Sequence, residues 1–589
     1  MMIIVLLTLT LVRTSSQKIS NELLSLMKEH PDSIVKVWVY FTDKGIFTEK
    51  DYYMAIKEAE KRLPPGVRKK RRKLNRKYLC DFTDIPVKEE YVERLKETGA
   101  KIYCVSKWLN AVSCKIEAKK LYEIKDLKFV YKIRKVRRFV EKLKEVKELK
   151  EGIYGDAMHF QYRVINIPKL HDEGYLGQNV LVGVVDAGFD LDDHPALREI
   201  KSKVVAKRNF VDVPEDEVDT SWESVKQTPY HGTRMVCLIA GKGAFEVIGA
   251  APECYLALAR TEDVYTERIA EEDFWIAGVE WLTDEVSYVT PEGETLGVEI
   301  ISSSLGYKFY PYSMMTGDTI PMSKVASLLA RKGVLLVTAM GNVTKTTSRL
   351  DTCIVAPADA ESILAVGAVD TTLVWKWFET SGGGLATSAL GPTADGRIKP
   401  DVVGPWYGWT VLTPDSDYTL IGGTSVATAV VAGMCAAILS GHPDWTPYDL
   451  RNAIIKTASR ANNPNDTLGY GIPDPWQALN FEKPIPGITF KIKILNPYPN
   501  PFIIGKHKEV TIPYFMTAKT YAEIKIYSVS GRLVKSIEAP TEDIIIGINY
   551  IKWDGKDENG VTVPSGVYIL VLKTGVGGKT ALQKLTVVR

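Results

Sequence analysis

Four side chains in this sequence, each at the edge of an apolar run, are of the types needed to cleave an amide with a serine. Asp186 closes the run Val182, Gly183, Val184, Val185 and is followed by Ala187 and Gly188. It therefore stands at the carboxyl end of a buried strand, where α/β proteins build their sites. His231 is followed by Gly232 and Thr233 and then by a helical stretch through Met235, Val236, Leu238 and Ile239. Ser425 follows Gly422, Gly423 and Thr424 and opens the small apolar stretch Val426 to Gly433. That puts a hydroxyl at a buried helix N-terminus, which favours negative charge. Asn342 ends a strand pattern that begins at Val334 and passes through Ala339 and Gly341. A nucleophilic hydroxyl, an imidazole base, a carboxylate to orient the base and amide donors for an oxyanion are the parts of acyl transfer by serine.

Taken singly, each residue has an ordinary role. Asp186 suits a turn or a helix cap, Asn342 a turn, and the Gly-Thr-Ser run an N-cap. A lone histidine is more often a satisfied core or surface residue than a base. His194, before Pro195, is read as structural. The conjunction of all four is what points to chemistry.

The elements that must hold these side chains are legible as patterns. From Leu181 onward the apolar segments Val180 to Val185, Tyr255 to Ala259, Val298 to Ser302, Val334 to Thr338 and Ile363 to Val366 alternate with helical stretches. Such continuous runs predict a doubly wound parallel sheet covered on both faces, an α/β domain. Upstream, Ser33 to Phe41, Ala100 to Ser106 and Ala111 to Ile116 read as strands, and Glu49 to Arg62, Val87 to Thr98 and Ala118 to Ile124 as helices. Their alternation predicts a small α+β domain. Beyond Phe481, the alternating runs Glu509 to Pro513, Ala522 to Tyr527, Gly547 to Trp553 and Gly566 to Leu572 predict an antiparallel β-sandwich.

The 589 residues exceed what one hydrophobic core supports, and 45% apolar with 25% charged side chains is the balance of soluble globular domains. A net charge of +3 argues against nucleic acid as a partner. The basic run from Arg68 to Lys77 is read as a solvated helix face or linker. Met1 to Val12 is almost wholly apolar and precedes Arg13, Thr14, Ser15 and Ser16, the length of a signal-peptide core. No Lys or Arg precedes it, and a buried first strand is the alternative. No other stretch is expected to reach the length of a membrane-spanning helix. Seven cysteines without a Cys-x-x-Cys pair are read mostly as buried thiols, with Cys104 to Cys114 as a candidate bridge.

In their order along the chain, Asp186, His231, Asn342 and Ser425 resemble the subtilisin-like serine proteases, the subtilases. The resemblance runs from about Tyr162 to Leu479 and takes in Gly249 to Pro252, Ser304 to Gly306, Lys399 to Asp401 and Gly469 to Gly471. It implies a serine endopeptidase acting on protein or peptide substrates through an acyl-enzyme. By that resemblance Asp186 orients the imidazole, His231 is general base and then acid, Ser425 is the nucleophile and Asn342 binds the oxyanion. It further implies that Ser304, Leu305, Gly306, Ala339 and Gly341 line the substrate cleft. No cofactor is implied for catalysis. Ala187, Arg234, Val426 and Ala429 stand where the family usually has Ser or Thr, His, Met and Pro; none of these departures removes a triad group. Val355 falls where a glycine commonly floors the specificity pocket, which implies a shallow apolar pocket and cleavage after small or medium apolar residues. Subtilases often bind structural calcium, and Asp190, Asp192 and Asp193 are the acidic residues to consider, although no loop of known ligand spacing is present.

The upstream region resembles, more weakly, the propeptides of subtilases, most of all in Ser106 to Val112. Such a domain assists folding and then acts as an intramolecular inhibitor. The link Glu141 to Tyr154 is charged and exposed in character, and self-cleavage is expected between Glu141 and Arg163. The last region carries Asn496 to Phe502, Ile526, Tyr527, Ser530, Gly531, Leu533, Val534, Trp553 to Gly555, Gly560 and Gly566 to Tyr568. It resembles the C-terminal sorting domain of type IX secretion. That implies a two-membrane bacterium, an outer-membrane secretion machinery as partner, and a secreted or cell-surface location. The division read from the sequence is 1–16 signal peptide, 17–150 propeptide, 151–482 subtilisin-like domain and 490–589 β-sandwich. Two rival readings stay open: a catalytically inactive surface adhesion or scaffold protein, and an intracellular processing enzyme. The insertion Thr283 to Gly297 has no assigned role.

Overall fold

A computed structural model describes residues 18–137, 160–192, 194–226, 230–242, 249–263, 271–307, 310–344, 354–379, 385–412, 417–481, 492–516, 521–539, 544, 547–574 and 580–589. The signal-like segment and the link from 138 to 159 lie outside them, and with that link all but residues 160–163 of the range in which self-cleavage is expected. The chain divides into two compact units, Met1–Phe481 and Glu482–Arg589.

The first unit is built on parallel strands in the order Val402–Pro405, Leu364–Val369, Leu335–Ala339, Thr295–Ser303, Leu181–Asp186, Tyr255–Arg260 and Val204–Asn209. The chain fills positions on one side of Leu181–Asp186 and then crosses to the other, so helices cover both faces. Val182 and Val184 join one core with helices His231–Ala240 and Thr424–Gly441. Leu181 and Val185 join a second core with helices Glu272–Asp284 and Pro321–Leu329. Burial on both faces is why these strands read as unbroken apolar runs. The sheet reverses its order between Leu181–Asp186 and Thr295–Ser303, and at their adjacent carboxyl ends lie Asp186 and Ser304.

One expectation is corrected here. Thr424–Gly441 is 18 residues long and apolar enough to cross a membrane by composition, with 89% of it buried inside the protein. Its hydrophobicity serves the core between the sheet and neighbouring helices, not a bilayer.

The upstream region forms an antiparallel sheet in the order Lys101–Ser106, Ala111–Glu117, Ile34–Phe41 and Val130–Lys135. One face packs on its own helices through Val37, Val39, Cys114 and Ile116 against Leu23, Leu95, Leu121 and Ile124. The other face presents Trp38, Tyr103, Cys104 and Trp108 to helix Glu272–Asp284. A register shift between Ile102 and Cys104 turns Cys104 to the face opposite Cys114, and both are free thiols, so the candidate bridge is absent. Cys114 stands across from Ile102, and Cys104 across from Ser113.

The basic run is also corrected. Pro65–Arg72 is helical, but Lys70 and Arg71 are 2% and 1% exposed, buried by partners far away in sequence. In the second unit, a three-stranded sheet and a five-stranded sheet share one core that includes Ile512, Ile524, Trp553 and Leu570. Its pairing departs from the antiparallel expectation once, where Phe502–Ile503 runs parallel to Val587–Val588.

Candidate active site

Asp186 and His231 meet. Asp186 ends its strand fully buried; its Oδ1 accepts the Ala187 amide at 2.7 Å and lies 2.7 Å from His231 Nδ1. Tyr230, at φ 44°, turns the chain into helix His231–Ala240 so that the imidazole opens the helix. A Cβ on Gly232 would come within 2.4 Å of Gly188 O and 3.0 Å of Asp186 Cβ. Only glycine beside the histidine lets this helix approach the strand so closely. A carboxylate can only accept, so the tautomer that satisfies this contact has its proton on Nδ1 and leaves Nε2 as an acceptor.

Ser425 is the second residue of helix Thr424–Gly441 and is 5% exposed. Its Oγ donates to Ser304 O at 3.3 Å, and Ser304 Oγ donates back to Ser425 O at 3.2 Å. His231 Nε2 is buried and makes no hydrogen bond. The histidine and serine helices share one core, yet the hydroxyl is turned to the cleft wall rather than to the imidazole. The structure therefore joins carboxylate to imidazole but not imidazole to hydroxyl. The χ1 torsion of Ser425 decides which acceptor the hydroxyl meets.

Asn342 stands beside the start of the serine helix. Its Oδ1 accepts both the backbone amide and the hydroxyl of Thr424, each at 3.0 Å. Two donors on the oxygen fix the orientation of the amide, and Nδ2 lies 3.0 Å from where a Cβ on Gly423 would be. The Thr424 amide is taken by Asn342 Oδ1 and the Val426 amide by Gly423 O at 3.1 Å, so the Ser425 amide is the donor at this corner that the helix leaves without an acceptor. Thr424 is the residue that sequence reasoning missed. Its signal was the hydroxyl immediately before Ser425, read there only as part of a cap.

The two segments expected to line the substrate cleft, Ser304 to Gly306 and Ala339 to Gly341, both close on Val355. Tyr307 and Ala356 exchange backbone hydrogen bonds of 2.8 and 3.2 Å, which carries Val355 beneath Gly306. A Cβ on Gly306 would fall 2.3 Å from Val355 Cγ2, and one on Gly341 2.8 Å from Val355 Cγ1. Val355 is thus wedged between the two walls and is 1% exposed. Leu305 is also 1% exposed and packs in the core beneath helix Glu272–Asp284. Its side chain therefore faces the core and not the cleft. Ala339 is 3% exposed.

His194 caps helix Pro195–Ser202, accepting the Ala196 amide at 3.1 Å, with its ring edge-on to Tyr418. Asp192 pairs with Lys201 and with Lys226 at 3.0 Å, and Lys226 also lies 4.0 Å from Asp190. Ammonium groups lie where a divalent cation would have to sit, and Asp193 is outside the described residues. Among the described residues no three acidic, histidine or cysteine side chains converge as a metal site. These aspartates do not fit a calcium cage, and no step is routed through one.

Residues 177–471 match the profile of the subtilase family, peptidase S8. The chain belongs to the subtilase family. As a subtilase it is a serine endopeptidase of the subtilisin type, and residues 36–151 match the peptidase S8 propeptide domain of Bacteroidota. Subtilisin E of Bacillus subtilis is 26% identical over 370 residues, 63% of this chain and 81% of the relative. Subtilisin of Bacillus pumilus is 28% identical over 296 residues, 50% of this chain and 89% of the relative. The subtilisin-like protease PopC of Myxococcus xanthus is 30% identical over 310 residues, 50% of this chain and 58% of the relative.

Proposed function

We propose that this subtilase is a secreted, self-processed zymogen that cleaves proteins after small or medium apolar residues, with Asp186, His231 and Ser425 as its triad. The observation that carries the reading is the 2.7 Å contact of Asp186 with His231, which leaves Nε2 without a hydrogen-bond partner among the described residues, on a helix that packs in the same core as the serine helix. His231 takes the Ser425 proton after the hydroxyl rotates from Ser304 O, and Ser425 attacks the scissile carbonyl. The negative charge that develops is met by Asn342 Nδ2 and the Ser425 backbone amide. His231 then protonates the leaving amine, and water hydrolyses the acyl-enzyme with the same base.

Substrate class follows from Val355. Its methyls fill the space between Gly306 and Gly341, so the pocket takes short apolar side chains. Zymogen character is supported by the upstream sheet, whose Trp38, Tyr103 and Trp108 pack against helix Glu272–Asp284. Ser425 itself is the agent that cuts between Glu141 and Arg163. Export and surface delivery rest on the apolar start of the chain and on the motif order of residues 490–589 as a type IX sorting domain read by an outer-membrane secretion machinery. The Bacteroidota character of the propeptide match accords with that route.

The test is casein digestion and fluorophosphonate labelling of the matured protein beside Ser425→Ala. Digestion, labelling and self-shortening that all vanish in the variant support the reading. A Ser425→Ala chain that still digests casein or shortens itself overturns it.

A further inference from the structure

The basic helix Pro65–Arg72 and the insertion Thr283 to Gly297 had no function in the sequence reading, and the fold puts them together. The insertion forms a hairpin, Ser287–Val289 against Thr295–Gly297, at the amino end of strand Thr295–Ser303. The basic helix lies on it at glycine distance. A Cβ on Gly66 would fall 1.9 Å from Leu296 O, and one on Gly297 2.7 Å from Gly66 C. The Gly66 amide donates to Ser287 Oγ at 2.9 Å.

Four cations of the helix region are held by this surface. Lys69 pairs with Glu294 at 2.9 Å, and Lys73 pairs with Glu299. Lys70 Nζ donates to the carbonyls of Thr283 and Val298 at 2.7 and 2.8 Å. Arg71 bridges its own Asp84, at 2.9 Å, and Asp284 of the protease. The helix is carried by a small module with its own core of Ile56, Ala59, Leu63, Val67, Cys80 and Ile85, distinct from the core of the propeptide sheet. A cavity of about 260 Å³, lined in part by Lys69, Lys73, Glu294 and Glu299, keeps this side of the contact incompletely packed. The hairpin end of the strand lies about 23 Å from Ser304, at seven residues of extended chain.

We propose that this hairpin is a second propeptide-binding site, remote from the cleft, which recognises the basic helix and sets how long the cut propeptide stays bound. The proposal rests on reading residues 36–151 as an inhibitory propeptide, but it concerns retention and not inhibition.

The experiment uses the full chain with Ser425→Ala and a sequence-specific protease site placed in the link between 141 and 154. After cutting with the added protease, gel filtration and surface-immobilised dissociation read whether the amino-terminal fragment stays on the rest. The expected result is retention, with dissociation about tenfold faster for Glu299→Lys and for Gly297→Val. The double variant Lys73→Glu with Glu299→Lys should return to the slow rate, which a folding defect would not do. Gly297→Val with Ser425 intact should still hydrolyse a small peptide once matured. Immediate loss of the fragment without any variant, or lifetimes unchanged in both single variants, overturns the proposal. Whether the uncut chain is less active on a small peptide than the matured one tests inhibition separately.

Discussion

Asn342 Oδ1 sits 3.0 Å from the amide nitrogen and 3.0 Å from the hydroxyl of Thr424, the residue immediately before Ser425. Two segments 82 residues apart are thereby locked at the one corner where a tetrahedral intermediate would put its charge.

Asn342→Ala should lower kcat by about a hundred- to a thousandfold with little change in KM, a magnitude that was itself measured on a subtilisin. Steady-state kinetics on a short peptide ester checks it. Thr424→Val keeps the amide donor and loses the hydroxyl, so its kcat should fall less than that of Asn342→Ala.

Removing Val355 should widen specificity. Val355→Ala frees the space between Gly306 and Gly341 and should raise kcat/KM for cleavage after Leu and Phe relative to Ala. Deleting its two buried methyls should cost about 2 kcal/mol of stability. A peptide-library profile and a thermal melt read the two effects. A profile that turns to Arg or Lys would contradict the pocket assignment.

The propeptide contact should loosen as pH rises from about 5 to 7. Trp38 Nε1 donates to Glu272 at 3.1 Å, and Ser106 donates to Glu280, so the propeptide covers both carboxyls. Burial raises them from 4.5 to about 7 and about 8. The bound state then holds protons that the separated state releases, so their contribution is complete below the ordinary value and is lost as pH climbs through the raised ones. Lys70, drawn down to about 7 by burial, works in the opposite sense, but only above that pH. Dissociation of the cut propeptide, followed across this range, should be faster at the neutral end, and Glu272→Gln with Glu280→Gln should flatten the profile.

Asp401→Ala should destabilise the protease domain by about 3–5 kcal/mol, because it strips a buried carboxylate from two cations. Asp401 is 2% exposed and holds Lys399 and Arg451, each at 2.6 Å, while accepting the Ala365 amide at 2.8 Å. Denaturant melts of the Ser425→Ala chain measure it without self-digestion.

The parallel strands were legible because burial on both faces leaves no polar alternation to misread, as in Leu181–Asp186, where every residue is buried. Helix Glu49–Arg62 was legible from its composition, and Thr48 caps it by accepting the Asp51 amide at 3.1 Å. The basic helix was not. Charge at Lys70 and Arg71 reads as solvated unless the partners are known, and Thr283, Asp284 and Val298 lie more than 200 residues away. The rotamer of Ser425 was equally invisible, since Ser304 O, which holds it, lies just past the end of a strand, 121 residues upstream. The burial of the Leu305 side chain was not legible either, because a motif names three adjacent residues without saying which of them faces the core.

The six described cysteines are all reduced and buried, three in the propeptide and three in the protease domain, so none of them ties the two together. Before the link is cut, the propeptide faces its protease at an effective concentration of about millimolar, whatever the amount of protein in solution. One peptide-bond cleavage turns that into an ordinary bimolecular equilibrium. If the fragment masks the cleft as proposed, latency from then on depends on protein concentration: concentrated enzyme stays covered, and dilution alone uncovers it.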